Sequence, residues 1–136
     1  MLNPNIPIKK WFYTNLTNLT GLGVYDGLSP EITAKEYLLF SSRTSSQQQG
    51  KSGYTNTMTF QINIVTKNAN FGFKRAEEIS NLILAGINSD TQITLPTGWN
   101  QSSLSVQAIR NLPSLNPLDN VFQTIITYNL TITQNN

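Results

Sequence analysis

The chain has 136 residues, and its charged fraction of 12% is about half of that typical of soluble domains. It contains no cysteine, which excludes disulfides, thiolate nucleophiles and cysteine-ligated metal sites. It contains no histidine either, which excludes Ser-His-Asp and Cys-His catalysis. A net charge of +2 is too small to indicate a nucleic-acid or membrane partner by itself. We therefore expect one domain over residues 1–136, with a polar but weakly charged surface.

Neither a targeting segment nor a membrane span is predicted. Pro4 and Pro7 interrupt any apolar run near the N-terminus, so the residue order of a signal peptide is missing. No stretch approaches the ~18 apolar residues of a membrane span. We expect a protein that is made in a cytoplasm and has no membrane partner.

The first half of the chain predicts one helix and two strands. Apolar residues at helical spacing follow Pro7, which suits a first helical turn, and the pattern stops at Gly21. In chain order, the predicted elements are a helix over Pro7–Leu19, a short strand over Gly23–Gly27, a loop over Leu28–Ala34, a strand over Glu36–Arg43 and a polar loop over Thr44–Gly53.

The second half predicts one helix and four strands. Apolar and polar residues alternate regularly over Thr57–Val65 and again from Phe122 to Ile132, which predicts strands with one buried face. The other predicted elements are a helix over about Phe71–Ile87, a short strand over Thr91–Leu95 and a strand around Leu104–Ala108. This order predicts an α+β fold, in which an antiparallel sheet of about five to six strands packs against two helices as a two-layer sandwich.

The motifs that carry chemistry are nearly absent. Residues 49–52 (QGKS) contain the tail of a phosphate-binding loop, but Ser45 stands where that pattern needs a glycine. The segment also lies between two predicted strands, whereas a phosphate loop leads into a helix. The seven carboxylates form no recognisable catalytic pair. We predict a protein that is not an enzyme, with no catalytic, cofactor-binding or metal-binding residue.

The order of several short motifs is more informative than any one of them. Val24-Tyr25-Asp26-Gly27 precedes a proline-containing loop and the aromatic-led strand Tyr37-Leu38-Leu39-Phe40. A strand ending in Thr66-Lys67 then leads into a helix that begins near Phe73-Lys74-Arg75-Ala76. This order resembles the tail terminator (tail completion) family of tailed bacteriophages, over roughly Ile8 to Thr133.

The resemblance implies a virion structural protein of the head–tail junction. Such a subunit would self-assemble into a hexameric or dodecameric ring, join the portal or connector to the tail, and so complete the tail. The partners implied are further copies of the chain and adjacent portal, connector or tail proteins. DNA passing through the lumen would make loose contact at most. The protein would reach the virion after assembly in the host cytoplasm, and no cofactor is implied.

Two segments are candidate interaction sites. The first is the Ser/Gln/Gly-rich stretch over 43–53, which would order on contact with a neighbouring subunit or would be a hairpin tip without a role. Its candidate residues are Arg43, Gln47, Gln48, Gln49 and Lys51. The second is Asn111–Asp119, where prolines keep the backbone extended around Leu112, Leu115 and Leu118. Exposed, these leucines would bind a partner; buried, they would cover the core.

A small β-rich receptor- or glycan-binding module of a phage particle is the alternative function. It predicts an exposed aromatic such as Trp99, placed in a Gly98-Trp99-Asn100 loop, although Trp99 would equally suit packing under the sheet edge. The low charge also makes a prediction. In a ring subunit the Asn, Thr, Ser and Gln side chains would lie in subunit interfaces, whereas composition bias alone would leave them in open solvent.

Overall fold

The structure of the protein is a computed structural model that describes residues 5–26, 35–50, 53–67, 73–112 and 121–134, with the backbone alone described over 43–50 and 53–54. Its elements in chain order are α1 (Asn5–Thr20), β1 (Val24–Asp26), β2 (Glu36–Gly50), β3 (Gly53–Thr66), α2 (Lys74–Gly86), β4 (Trp99–Leu112) and β5 (Phe122–Gln134). A five-stranded sheet and two helices confirm the predicted α+β class.

The strands lie in the order β1-β2-β3-β5-β4. The last four are joined by antiparallel pairings, while β1 runs parallel to β2 through the pairing of Val24–Asp26 with Leu38–Phe40. The sheet is therefore mixed, and the expectation of a purely antiparallel sheet was wrong. A three-residue strand carries no directional signal in its sequence, because parallel and antiparallel ladders use the same alternation of faces.

The core lies between the two helices and one face of the sheet. Phe12 of α1 is fully buried, and its ring centroid lies 4.7 Å from that of Phe60 and 5.3 Å from that of Phe40. Burying a side chain of this size stabilises the fold by about 1.5–3 kcal/mol. The buried residues on the helix side of β3 and β5 come from the predicted alternating positions: Met58, Phe60, Ile62, Ile64, Ile126, Tyr128, Leu130 and Ile132.

The C-terminal end of α2 approaches α1 closely. A Cβ atom added at Gly86 would clash with the Leu19 side chain, so a larger residue would require Leu19 to move. Beyond this end, the fully buried Tyr128 hydroxyl donates a 2.7 Å hydrogen bond to the carbonyl of Ile87. Helix α2 thus ends one residue before the predicted Ile87, and residues 71–72 of its predicted start lie outside the described residues.

The predicted polar loop over Thr44–Gly53 was wrong. The backbone of β2 continues to Gly50 and pairs with β3 as far as Gly53, with a register shift between Thr44 and Ser46. Polar side chains do not prevent this pairing, because the hydrogen bonds of a ladder come from the backbone and β3 is itself held by β5. The hypothesis that the segment contacts a neighbouring subunit stays a prediction.

The predicted strand over Thr91–Leu95 is also absent. This segment is bound by a side chain instead, because the amide of Gln101 accepts from the N–H of Ile93 and donates to the carbonyl of Thr91, both at 2.8 Å. Strand β4 then begins at Trp99, earlier than predicted, and Trp99 is only 7% exposed. The alternation around Leu104 indicated the strand, but the polar residues before it carried no signal.

Candidate interaction surface

The face of the sheet that points away from the helices, here called the open face, is neutral at its centre. Strands β3 and β5 present uncharged side chains there, most of them polar. The described polar residues of β3 and β5 on this face are Thr55, Thr57, Thr59, Gln61, Asn63, Gln123, Thr127, Asn129, Thr131 and Thr133. They alternate with the buried residues of the same strands, because successive side chains of a strand point to opposite faces.

Hydrogen bonds between neighbouring strands link these side chains. Thr59 Oγ1 donates to Asn129 Oδ1 at 3.0 Å, and Asn63 Nδ2 donates to Gln123 Oε1 at the same distance. The Asn63 Oδ1 atom is buried and has no hydrogen-bond partner. In the single chain, the amides and hydroxyls therefore bond mostly to one another, which leaves the face ordered and uncharged.

Aromatic and charged residues collect at the end of the sheet where β2 begins. On the open face, the Tyr25 and Tyr37 rings meet edge to face at 6.1 Å, and Lys67 Nζ lies 5.2 Å from the Tyr37 ring centroid. Burial raises the pKa of the Tyr37 phenol. Nearby, the Arg75 guanidinium of α2 forms an ion pair with Glu36 of β2, and this bond raises the pKa of Arg75. The pair ties the helix layer to the sheet.

Strand β4 lies at one edge of the sheet and contains two register shifts against β5, between Gln101 and Ser103 and between Val106 and Ala108. Each shift adds a residue to β4 and changes which residues point to the helix side. As a result, both Val106 and Ile109 pair opposite residues of β5 that point to the core.

The helix side of β4 is poorly covered at these two positions. Within the described residues, Trp99 and Leu104 of β4 belong to the buried core, whereas Val106 and Ile109 do not. Val106 is 38% exposed and Ile109 is 51% exposed, although their partners Tyr128 and Ile126 are fully buried. An apolar strip therefore borders the core at the β4 edge.

A small cavity on the other side of the sheet is lined by Ser41, Ser42, Thr59 and Gln61. Its volume of about 150 Å³ is well below the ~300 Å³ at which ligand pockets usually begin. The four described residues of its lining are neither charged nor aromatic. This cavity gives no support to a glycan-binding site.

Comparisons with known proteins bear on the fold. No protein-family model matches the chain, and no curated protein matches it. Among solved structures, it is similar to a chain of the virion of a native gene transfer agent (GTA) particle, with 17% identity and a TM-score of 0.62, covering 87% of this chain and 84% of that one. A second solved chain, whose name does not describe a function, is 18% identical with a TM-score of 0.58, covering 93% and 94%. The likenesses show a shared fold.

The structure does not bring the predicted site residues together. The backbone of Arg43, Gln47, Gln48 and Gln49 lies in β2 and pairs with β3 near the hairpin end, whereas Leu112 ends β4 at the opposite edge and the opposite end of the sheet. Leu112 is 37% exposed. Lys51, Leu115 and Leu118 lie outside the described residues.

Three further expectations concerned metal sites, membrane spans and the exposure of Trp99. Across the described ranges, no group of three or more acidic side chains is placed to hold a metal ion. None of the described helices is long and apolar enough to span a membrane. The aromatic residue of the receptor-binding alternative, Trp99, is buried in the core instead of exposed in a loop.

Sequence reasoning missed the exposed pair Val106 and Ile109. Val106 belongs to the alternation that predicted a buried face, and Ile109 falls out of phase with it because of the bulge at Gln107. The sequence signal for a bulge is that the apolar residues Val106 and Ile109 are three positions apart, whereas regular alternation would place them two or four apart. No sequence signal indicates that this part of β4 is left uncovered on its helix side.

Proposed function

We propose that this protein is a virion structural protein of the head–tail junction, where copies assemble into a ring that joins the portal or connector to the tail and completes the tail. The observation that carries this proposal is the fold, which is shared over 87% of the chain with a component of a gene transfer agent virion. The motif order that resembles tail terminators supports the same position in the particle. The ring would be hexameric or dodecameric.

The surface suits a subunit with many neighbours. Interfaces are depleted in Lys, Glu and Asp and accept neutral hydrogen-bonding groups. The centre of the open face carries no charged side chain on β3 or β5, so identical copies meet there without repulsion between like charges.

The proposed role needs no catalytic group. Packing contacts and backbone pairing use neither a nucleophile nor a titrating side chain, which fits a chain without cysteine and histidine. DNA that passes through the lumen would meet a subunit with a net charge of +2, and this favours loose contact without sequence readout.

The experiment that tests this proposal locates the protein in particles. Phage particles are purified, and the chain is sought in them with an antibody labelled by gold. We expect label at the head–tail junction, and particles made without the protein should have filled heads without joined tails. Label on the tail fibres or on the capsid surface, or joined and infectious particles without the protein, would overturn the proposal.

A further inference from the structure

The two edges of the sheet are formed by β4 on one side and by β1 and β2 on the other. One edge is β4, with 14 residues. At the other edge, β1 covers Leu38–Phe40 of β2 and no more. Within the described residues, the stretch of β2 over 41–50, here called the free half of β2, pairs with β3 on one side and with no strand on its other side.

The directions of these two edges are complementary. Three antiparallel pairings separate β2 from β4, so the two strands run in opposite directions. If identical sheets stand side by side in the same orientation, β4 of one copy meets β2 of the next as an antiparallel pair. Antiparallel pairing is the more stable arrangement per residue.

We propose that β4 pairs with the free half of β2 in a second copy of this chain, so that the sheets of neighbouring subunits join edge to edge. This inference rests on the proposed ring and names the surfaces that form it. Exposed edge strands usually carry protective prolines or several charges. Strand β4 contains no proline and one charged residue, Arg110, and the free half of β2 contains no proline and one charged residue, Arg43.

The same pairing covers the exposed apolar strip. In each subunit, α1 lies over the β2 edge, where Phe12 stacks on Phe40 and Tyr13 lies 5.4 Å from the Phe40 ring. Joining β4 to the β2 of a neighbour brings the neighbour's α1 towards Val106 and Ile109. The helix layer then continues over the part of β4 that is uncovered within its own chain, and apolar surface is removed from water.

A two-fold pairing of β4 with β4 would explain less. It would close a dimer and would leave the free half of β2 exposed in both copies. Pairing β4 with β2 uses both edges of every copy. Each copy then binds the next in the same head-to-tail way, and such an assembly closes into a ring or extends into a filament. This is why we infer the head-to-tail arrangement.

The first test introduces a charge into the apolar strip. Oligomeric mass is measured by mass photometry and sedimentation velocity for the wild type, Val106→Lys, Ile109→Lys and the control Leu82→Lys, which changes an equally exposed residue of α2 (46%). We expect rings for the wild type and Leu82→Lys, and at least a tenfold loss of ring species for the two β4 variants. Circular dichroism and thermal melting check that all variants are folded.

The second test uses the absence of natural cysteines. Ser41→Cys in β2 and Ser105→Cys in β4 place single thiols at exposed positions of the open face. A short bismaleimide should give a covalent dimer when the two variants are mixed, and no dimer with either variant alone. A dimer from Ser105→Cys alone would show β4 paired with β4 and would overturn the inference.

The outcomes separate this inference from the proposed function. Rings that persist in both β4 lysine variants, or a mixed sample that yields no covalent dimer, overturn the edge-to-edge contact and leave the position in the virion standing. A wild-type chain that stays monomeric at all concentrations, alone and with its portal, overturns the contact and the ring together. Rings that fail to reach the head–tail junction overturn the position alone.

Discussion

The helix side of the sheet and its open face are made by the same strands, but they are stabilised in different ways. On the helix side, Phe12 of α1, Phe60 and Tyr128 are fully buried, and the Phe12 ring packs against the other two. On the open face, Thr59 and Asn129 satisfy each other by hydrogen bonds at the surface. The comparison teaches that most of the stability lies on one side of the sheet, which leaves the other side free to be adapted to partners.

The largest expected effect is on the helix side. Phe12→Ala removes a ring that contacts four others and leaves a cavity, so we expect the free energy of unfolding to fall by about 3–5 kcal/mol. Chemical denaturation monitored by circular dichroism measures this loss. Thr14→Ala on the exposed side of α1 is the matched control, and an equal loss in both variants would contradict the packing described here.

Tyr128→Phe tests a polar contact within the same core. The variant leaves the Ile87 carbonyl without its donor, which should cost about 1–3 kcal/mol of unfolding free energy. Burial raises the pKa of this phenol above its ordinary value of 10.0. The neutral phenol therefore stabilises the fold fully below pH 10, and this contribution is lost as the pH rises through the folded-state pKa.

The measurement for Tyr128→Phe is denaturation at pH 8 and at several pH values above 10. We expect the wild type to lose stability with rising pH more steeply than the variant. Tyr25→Phe, at an exposed position, serves as the control and should follow the wild type. Parallel pH profiles for the wild type and Tyr128→Phe would show that this hydroxyl does not titrate with unfolding.

On the open face the expected effect is smaller. Thr59→Val keeps the shape of the side chain and removes its hydrogen bond to Asn129, which should lower the free energy of unfolding by about 0.5–1.5 kcal/mol. Equilibrium denaturation measures the change, and the double variant with Asn129→Leu tests whether the two side chains act as a pair. A loss as large as that of Phe12→Ala would remove the distinction between the two faces.

The smallest effect is expected where the two layers are tied by charge. Glu36→Gln weakens the pair with Arg75, whose side chain is 45% exposed, so we expect a loss of up to ~1 kcal/mol. The loss should shrink as salt rises from 0.05 to 1 M in thermal melting, because salt screens exposed charges. A salt-independent loss would mean that Glu36 acts through packing instead.

The sequence predicted those parts of the fold where burial imposes a pattern. The alternation in β3 and β5 and the helical spacing of Ile79 and Ile83 were read correctly, because each places apolar residues on one face. The extension of β2 to Gly50 was missed, because Ser and Gln carry no pattern and the pairing comes from a neighbouring strand. The segment after Thr91 is held in part by the amide of Gln101, which lies ten residues further along the chain, and a local sequence pattern does not predict such a bond.

The candidate surface was less predictable than the fold. Leu112 was proposed as a contact residue and is exposed, but the structure separates it from Arg43 and the three glutamines. Val106 and Ile109 were missed because an exposed apolar residue and a buried one look identical in a strand pattern. Only the packing of the folded chain distinguishes them.

The neutral centre of the open face has a consequence for the conditions that the surface tolerates. Because no side chain there gains or loses a proton between acidic and alkaline pH, its electrostatic potential stays nearly constant when the medium changes. Contacts made through this surface depend on shape and on hydrogen bonds between uncharged groups. The electrostatic properties of this part of the surface therefore stay the same in dilute buffer and at high salt.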